Sequence, residues 1–315
     1  YSVTIPAYGY RILSADVSIP PPPVSVVDGQ NIPTDFADAP VFQVQNTATN
    51  LGDNVGELDQ LFLDTNADGL RIGITGNLPT DYTLLAIFLE TSPNGTDTLF
   101  TADQPTPPSG LPQMSGLTFD SGFAPGTLLL INTGGSAYYV DQLTLFPGAS
   151  TKIYRGSGIV NSGSGLLSGG QATDGVQVAL NNTNTSGITA LSTVNAPLAT
   201  RGVEVFIPYA ALGEGTTPCS PIRGSAMLVR GSGAVTNQML PGLNGRTTDL
   251  GVAANLGTIV GRQHIVLTRS AACAPGCAVD YNADNFLNLD DVADFITDFY
   301  TVPSLPAGLQ SSDPG

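Results

Sequence analysis

The chain has 315 residues, 41% of them hydrophobic and only 11% charged, with 37 Gly, 24 Pro and a net charge of −16. That balance excludes nucleic acid and anionic membrane surfaces as partners, since phosphates are met by Lys and Arg and these total 10. No stretch reaches the roughly 20 apolar residues of a membrane helix, while the apolar fraction suffices for a sizeable core.

The chain opens YSVTIPAYGYRILSADVSIPPPPVSVVDG. Its first residue is Tyr rather than Met, which fits a processed, secreted form. Tyr1, Val3 and Ile5 alternate with Ser2 and Thr4, as a half-buried strand does. After Pro6 the phase shifts to Tyr8, Tyr10 and Ile12, and Val17 and Ile19 close the segment. Pro6 fits an edge or a bulge and not the middle of a central strand. Pro20 to Pro23 then form a polyproline rod of roughly 12 Å. Such a rod holds a strand away from the domain that follows it. The segment is expected to complete the sheet of a neighbouring copy, the donor-strand arrangement of pilus subunits. One strand and one acceptor per copy would propagate head to tail into a fibre. An intramolecular first strand or a free stalk remains the alternative.

Nine strand-like runs follow: LRIGITGN, TLLAIFLET, GTLLLIN, AYYVDQLTLF, TKIYRG, GVQVALNN, GVEVFIP, SAMLVR and RQHIVLTR. Each is rich in β-branched or aromatic residues and bounded by Gly, Pro, Asn or Asp. With almost no helical periodicity between them, they predict an all-β, jelly-roll-like sandwich over residues 24–272. The continuously apolar TLLAIFLE and GTLLLIN predict strands covered on both faces. Sequons at Asn94, Asn181 and Asn184 mark candidate glycosylation sites on surface loops.

Familiar catalytic sets are missing. The one histidine, His264, lies in a strand-like context, and there is no nucleophile elbow or phosphate-binding loop. The glutamates Glu57, Glu90, Glu204 and Glu214 show no marked pairing, so the chain reads as a non-enzyme. A sugar-binding role would lack Trp and would need Tyr8, Tyr10, Tyr82, Tyr138 or Tyr139 to stack on the sugar rings.

The one convincing helix is NLDDVADFITDFY, whose Leu289, Val292, Phe295, Ile296 and Phe299 form a stripe. Asp290 and Asp291 occupy its first turn and Pro303 follows its end. Cys273 and Cys277 could close a small ring, or either could pair with Cys219 and staple the tail to the main domain.

Three resemblances extend this reading. VVDGQNIPTDFADAPVFQVQ, LDQLFLDTNADGLRIGITGNL and VEVFIPYAALG resemble family-9-type carbohydrate-binding modules. ITGNLPTDYTLLAIFLET and GVQVALNNTNTSGITA resemble secreted β-sandwich proteins of planctomycete-type bacteria. DYNADNFLNLDD resembles a dockerin or EF-hand calcium loop. That likeness implies Ca2+ held by Asp280, Asn282, Asp284, the Phe286 carbonyl, Asn288 and Asp291, with Asn285 in place of the usual glycine. DTNADGL imitates the loop more weakly through Asp64, Asn66 and Asp68, and a β-turn explains the same residues.

The sequence therefore predicts three parts. These are a donor strand with its linker (1–23), a β-sandwich (24–272), and a calcium loop with helix and Pro-rich tail (273–315). The expected protein is a secreted structural subunit of a calcium-stabilised filament, with copies of itself as partners. The alternative is a cell-surface carbohydrate-binding module with glycans as partners.

Overall fold

The computed structural model describes residues 26–39, 41–92, 94–100, 114–146, 150–213, 216 and 220–267. The amino-terminal segment, the three cysteines, and the expected calcium loop (280–291) and helix lie outside these residues.

Within them the chain is all β, in two antiparallel sheets. The five-stranded sheet contains β1 (Val41–Val44), β2 (Glu57–Thr65), β3 (Gly69–Asn77), β8 (Gln177–Leu180) and β9 (Gly202–Pro208). Its order is β1-β2-β3-β9-β8. The seven-stranded sheet contains β4 (Leu84–Glu90), β5 (Thr127–Gly134), β6 (Ala137–Thr144), β7 (Thr151–Ile159), β10 (Ile222–Val229), β11 (Val235–Leu240) and β12 (Ile265–Leu267). Its path is β11-β10-β4-β5-β6-β7, with β12 pairing the start of β10.

Each of the nine runs expected from the sequence contributes a strand. β1, β2 and β11 add three that the run-by-run reading passes over, because VFQV is short and β2 and β11 carry buried polar residues. A four-residue helix, α1 (Ile32–Asp35), was likewise not foreseen; Pro33 sits in its first turn.

Strand alternation directs Leu61, Leu63, Ile72, Ile74, Val203 and Val205 inward, against Leu85, Ile87, Leu89, Leu129, Ile131 and Val140 of the other sheet. The outer face of the seven-stranded sheet is buried as well. Leu84, Ala86 and Phe88 of β4, with Leu128 and Leu130 of β5, pack under Leu99, Met114, Leu117, Phe119, Phe123, Leu243 and Leu256. Phe88 meets Phe119 edge-on at 4.8 Å, and Phe119 meets Phe123 at 5.5 Å. This double covering is why β4 and β5 read as unbroken apolar runs.

The outer face of the five-stranded sheet is covered differently. α1 sits on β3 over Gly73, where an added Cβ would lie 2.7 Å from Ile32 and 2.8 Å from Phe36. Glycine at this position is what lets the helical turn approach the sheet. Phe36 packs on Phe62, and the Arg71 guanidinium lies over the Phe36 ring.

Candidate functional site

The most built polar feature on the outer face of the five-stranded sheet is an anchor for residues 28–32. Glu204 of β9 points outward between Gly73 of β3 and Ala179 of β8, its cross-strand neighbours. Both neighbours are small, which leaves the carboxylate room to meet the chain above it. It accepts hydrogen bonds from the backbone N–H groups of Asp28 (2.9 Å) and Gly29 (2.7 Å). Asp28 in turn accepts from the N–H of Gln30, and Gly29 takes φ +74°, a conformation that favours glycine. Two backbone bonds complete the anchor, Gly202 N–H to the Gly29 carbonyl (3.1 Å) and Ile32 N–H to the Thr200 carbonyl (3.0 Å).

The electrostatics are unusual for a surface anchor. Glu204 is 2% exposed. Burial pushes its carboxyl up to about 7, against the two amide donors and with added repulsion from Asp35 and Asp28. Burial also raises Asp35, helped by Asp28 and opposed by Arg71. Asp28, Asp35 and Glu204 bring carboxylate oxygens within 4.8 Å of one another. The inner carboxylate is already engaged by backbone amides, so the cluster is accounted for as the clamp on the incoming chain.

Other residues singled out in the sequence take separate places in the fold. At 64–69 the geometry is that of the β2–β3 hairpin turn. The Asn66 amide oxygen accepts from the N–H groups of Asp68 and Gly69 (both 2.9 Å), while Asp64 pairs with Arg71 at 3.1 Å. These oxygens serve the turn, the alternative that the sequence left open. His264 is buried, stacks on Phe123 at 5.0 Å and places Nδ1 3.5 Å from Asp120; burial lowers it to about 4.

The sequons divide. Asn94 is exposed, but Asn181 and Asn184 are buried, which corrects the expectation that all three mark the surface. Asn181 accepts from the Thr183 hydroxyl at 2.6 Å. The Asn184 amide donates to the carbonyls of Gly76 and Arg201 and accepts from the N–H groups of Thr200 and Arg201. The loop folds back over the sheet edge, so these amides replace backbone partners that irregular chain cannot supply to itself. The residues Tyr1 to Ile19 of the expected donor strand, Asp280 to Asp291 of the calcium loop, and Cys219, Cys273 and Cys277 fall outside the described residues.

Searches against known protein families, characterised proteins and solved structures find no match to this chain.

Buried acids were the main feature that sequence reasoning missed. Glu57 and Asp59 of β2 are both fully buried. Glu57 accepts from the Asn77 amide and from Asn54 N–H (both 3.1 Å), and burial lifts it to about 7. Asp59 Oδ1 accepts from Ile188 N–H at 2.7 Å, its Oδ2 has no hydrogen-bond partner, and burial lifts the group to about 8. Their i, i+2 spacing spans a register shift between Leu58 and Gln60, and their partners are Asn54, the end of β3 at Asn77 and the Ile188 loop rather than solvent. Only the fold reveals this, since an acidic residue in a strand otherwise reads as solvent-facing.

Proposed function

We propose that this protein is the repeating structural subunit of a secreted, extracellular filament, in which residues 1–19 of one copy add as a strand to the next. The carrying observation is the Glu204 clamp. It fixes Asp28 and Gly29 beside β8 and β9 at one side of the five-stranded sheet, while β1 ends that sheet on the other side. A connector on one side and a strand edge on the other make a polar, head-to-tail unit. The two apolar cores are filled by the described residues themselves, so a further apolar strand would find its partners at an edge. Calcium enters this reading through the sequence of Asp280, Asn282, Asp284, Phe286, Asn288 and Asp291, as a brace for the carboxy-terminal part.

Electron microscopy of the full-length protein beside a version lacking residues 1–19 tests the reading. Filaments from the first and single particles from the second are expected. Single particles from both would sink it.

A second reading, a carbohydrate-binding module, is favoured by two exposed tyrosines. Tyr82 (71% exposed) lies two residues before β4 and Tyr139 (45%) lies in β6, at the same end of the seven-stranded sheet through the register Leu84–Asn132–Tyr139. Loss of glycan-array binding in Tyr139→Ala would support it.

A further inference from the structure

The strand edges of the sandwich differ in what occupies them. The outer edge of β7 is taken, since Ser157 and Ser168 exchange two backbone hydrogen bonds of 2.9 Å and Gln171 N–H reaches the Tyr154 carbonyl at 2.8 Å. β8 is capped by Val178 N–H to Gly165 and Asn161 N–H to Leu180. β11 is capped at Val235 by reciprocal bonds with Gly251. Among the described residues this leaves β1 and β12, which come within 8 Å of each other at one corner of the sandwich. An uncapped edge is a template for another strand.

The side chains of β1 point to what would cover it. Phe42 is 56% exposed and stacks on Phe62 at 6.1 Å; Phe62 in turn meets Phe36 at 5.7 Å. The row of rings Phe36–Phe62–Phe42 crosses the outer face and stops in the open at β1. Val41, Gln43 and Val44 are partly exposed and uncharged. An added strand would continue the aromatic row by one place, with cross-strand Cβ atoms about 4.5–5.5 Å apart.

We infer that β1 is the acceptor edge of the filament and that its occupant is the segment Tyr1–Ile12 of a neighbouring copy; the inference rests on the assembly reading above. Tyr8, Tyr10 and Ile12, or Tyr1, Val3 and Ile5, offer the alternating apolar face that Phe42 lacks a partner for. Pro6 divides the segment into runs of five and six residues, each long enough for the four-residue β1. Within 1–12 the only charged side chain is Arg11, so the pairing buries little charge. The acidic 280–294 stretch, with Asp280, Asp284, Asp290, Asp291 and Asp294, is a poorer match for an apolar edge.

The test compares filament formation and melting temperature for the full-length protein, Phe42→Arg, Val44→Lys and the form lacking residues 1–19. Neither replaced side chain is a core residue, so both single variants should melt as the parent does; Val44→Lys carries the test if Phe42→Arg does not. A rise of at least about tenfold in the concentration needed for filaments in these variants supports the assignment. Parent-like filaments from both, with none from the truncated form, would keep the assembly reading and overturn β1 as the acceptor. Filaments without residues 1–19 would overturn both. Monomers throughout, with a lower melting temperature on truncation, would place the segment on its own chain and overturn the inference.

Discussion

On the seven-stranded sheet the outer face lies under a second apolar core of Phe119, Phe123, Met114 and Leu256, whereas the outer face of the five-stranded sheet carries one helical turn, three rings and a buried carboxylate. The two faces of one sandwich thus meet the same requirement, the exclusion of water from strand residues, by different chemistry. The apolar cover is mostly a matter of volume, and the titrating group it touches is His264 on Phe123. The polar cover orders irregular chain through directed hydrogen bonds, and it holds acids at a cost when they ionise. The difference teaches where each sheet is vulnerable.

The largest effect that would break the comparison is in the apolar cover. Phe88→Ala leaves a cavity under Phe119 and is expected to cost about 3–5 kcal/mol by chemical denaturation. Phe62→Ala should cost less, about 2–3 kcal/mol, because its cluster opens toward Phe42 and can collapse. Equal losses would show that the two covers are alike.

The next effect separates the faces by pH. Glu57 and Glu204 rise from 4.5 to about 7 and Asp59 from 3.8 to about 8. A raised carboxyl binds more protons folded than unfolded between those values. Its stabilisation is therefore complete below the unfolded value and is lost as pH rises through the folded one. His264, lowered from 6.5 to about 4, has the opposite sign and costs stability as pH falls below 6.5. The acids act alone between pH 6.5 and 8, where stability should fall by on the order of 2–4 kcal/mol. Thermal melts at the two pH values check this. Glu204→Gln keeps an acceptor for the Asp28 and Gly29 amides, and should gain stability over the parent at pH 8 but not at pH 5.

The smallest effect sharpens the role of the 64–69 turn. Asn66→Ala removes the acceptor for two backbone N–H groups and should cost about 1 kcal/mol. The loss should be equal with and without added calcium, as a turn requires; a calcium-dependent loss would restore the ion site.

The sandwich was legible because its signals are local. TLLAIFLET and GTLLLIN carry their own strand pattern, and their lack of alternation already told of two covered faces. The Asp/Asn/Gly-rich DTNADG left a turn and a weak calcium site both open, and the fold makes it the β2–β3 turn. The burial of Asn181 and Asn184 was not legible, since a sequon in a loop reads the same whether the loop projects or folds back. Nor was the grouping of Asp28, Asp35 and Glu204, whose members are separated by up to 176 residues and meet only because β9 pairs with β3.

The sequence by itself determined the strand class and the acidic net charge, because backbone propensity, pleat alternation and composition need no knowledge of the fold. Only the tertiary structure decided which acids are buried, which amides replace backbone partners, and that, among the described residues, β7, β8 and β11 are capped while β1 is not. Those depend on which distant segments come to lie side by side, and desolvation and edge pairing exist only once they do.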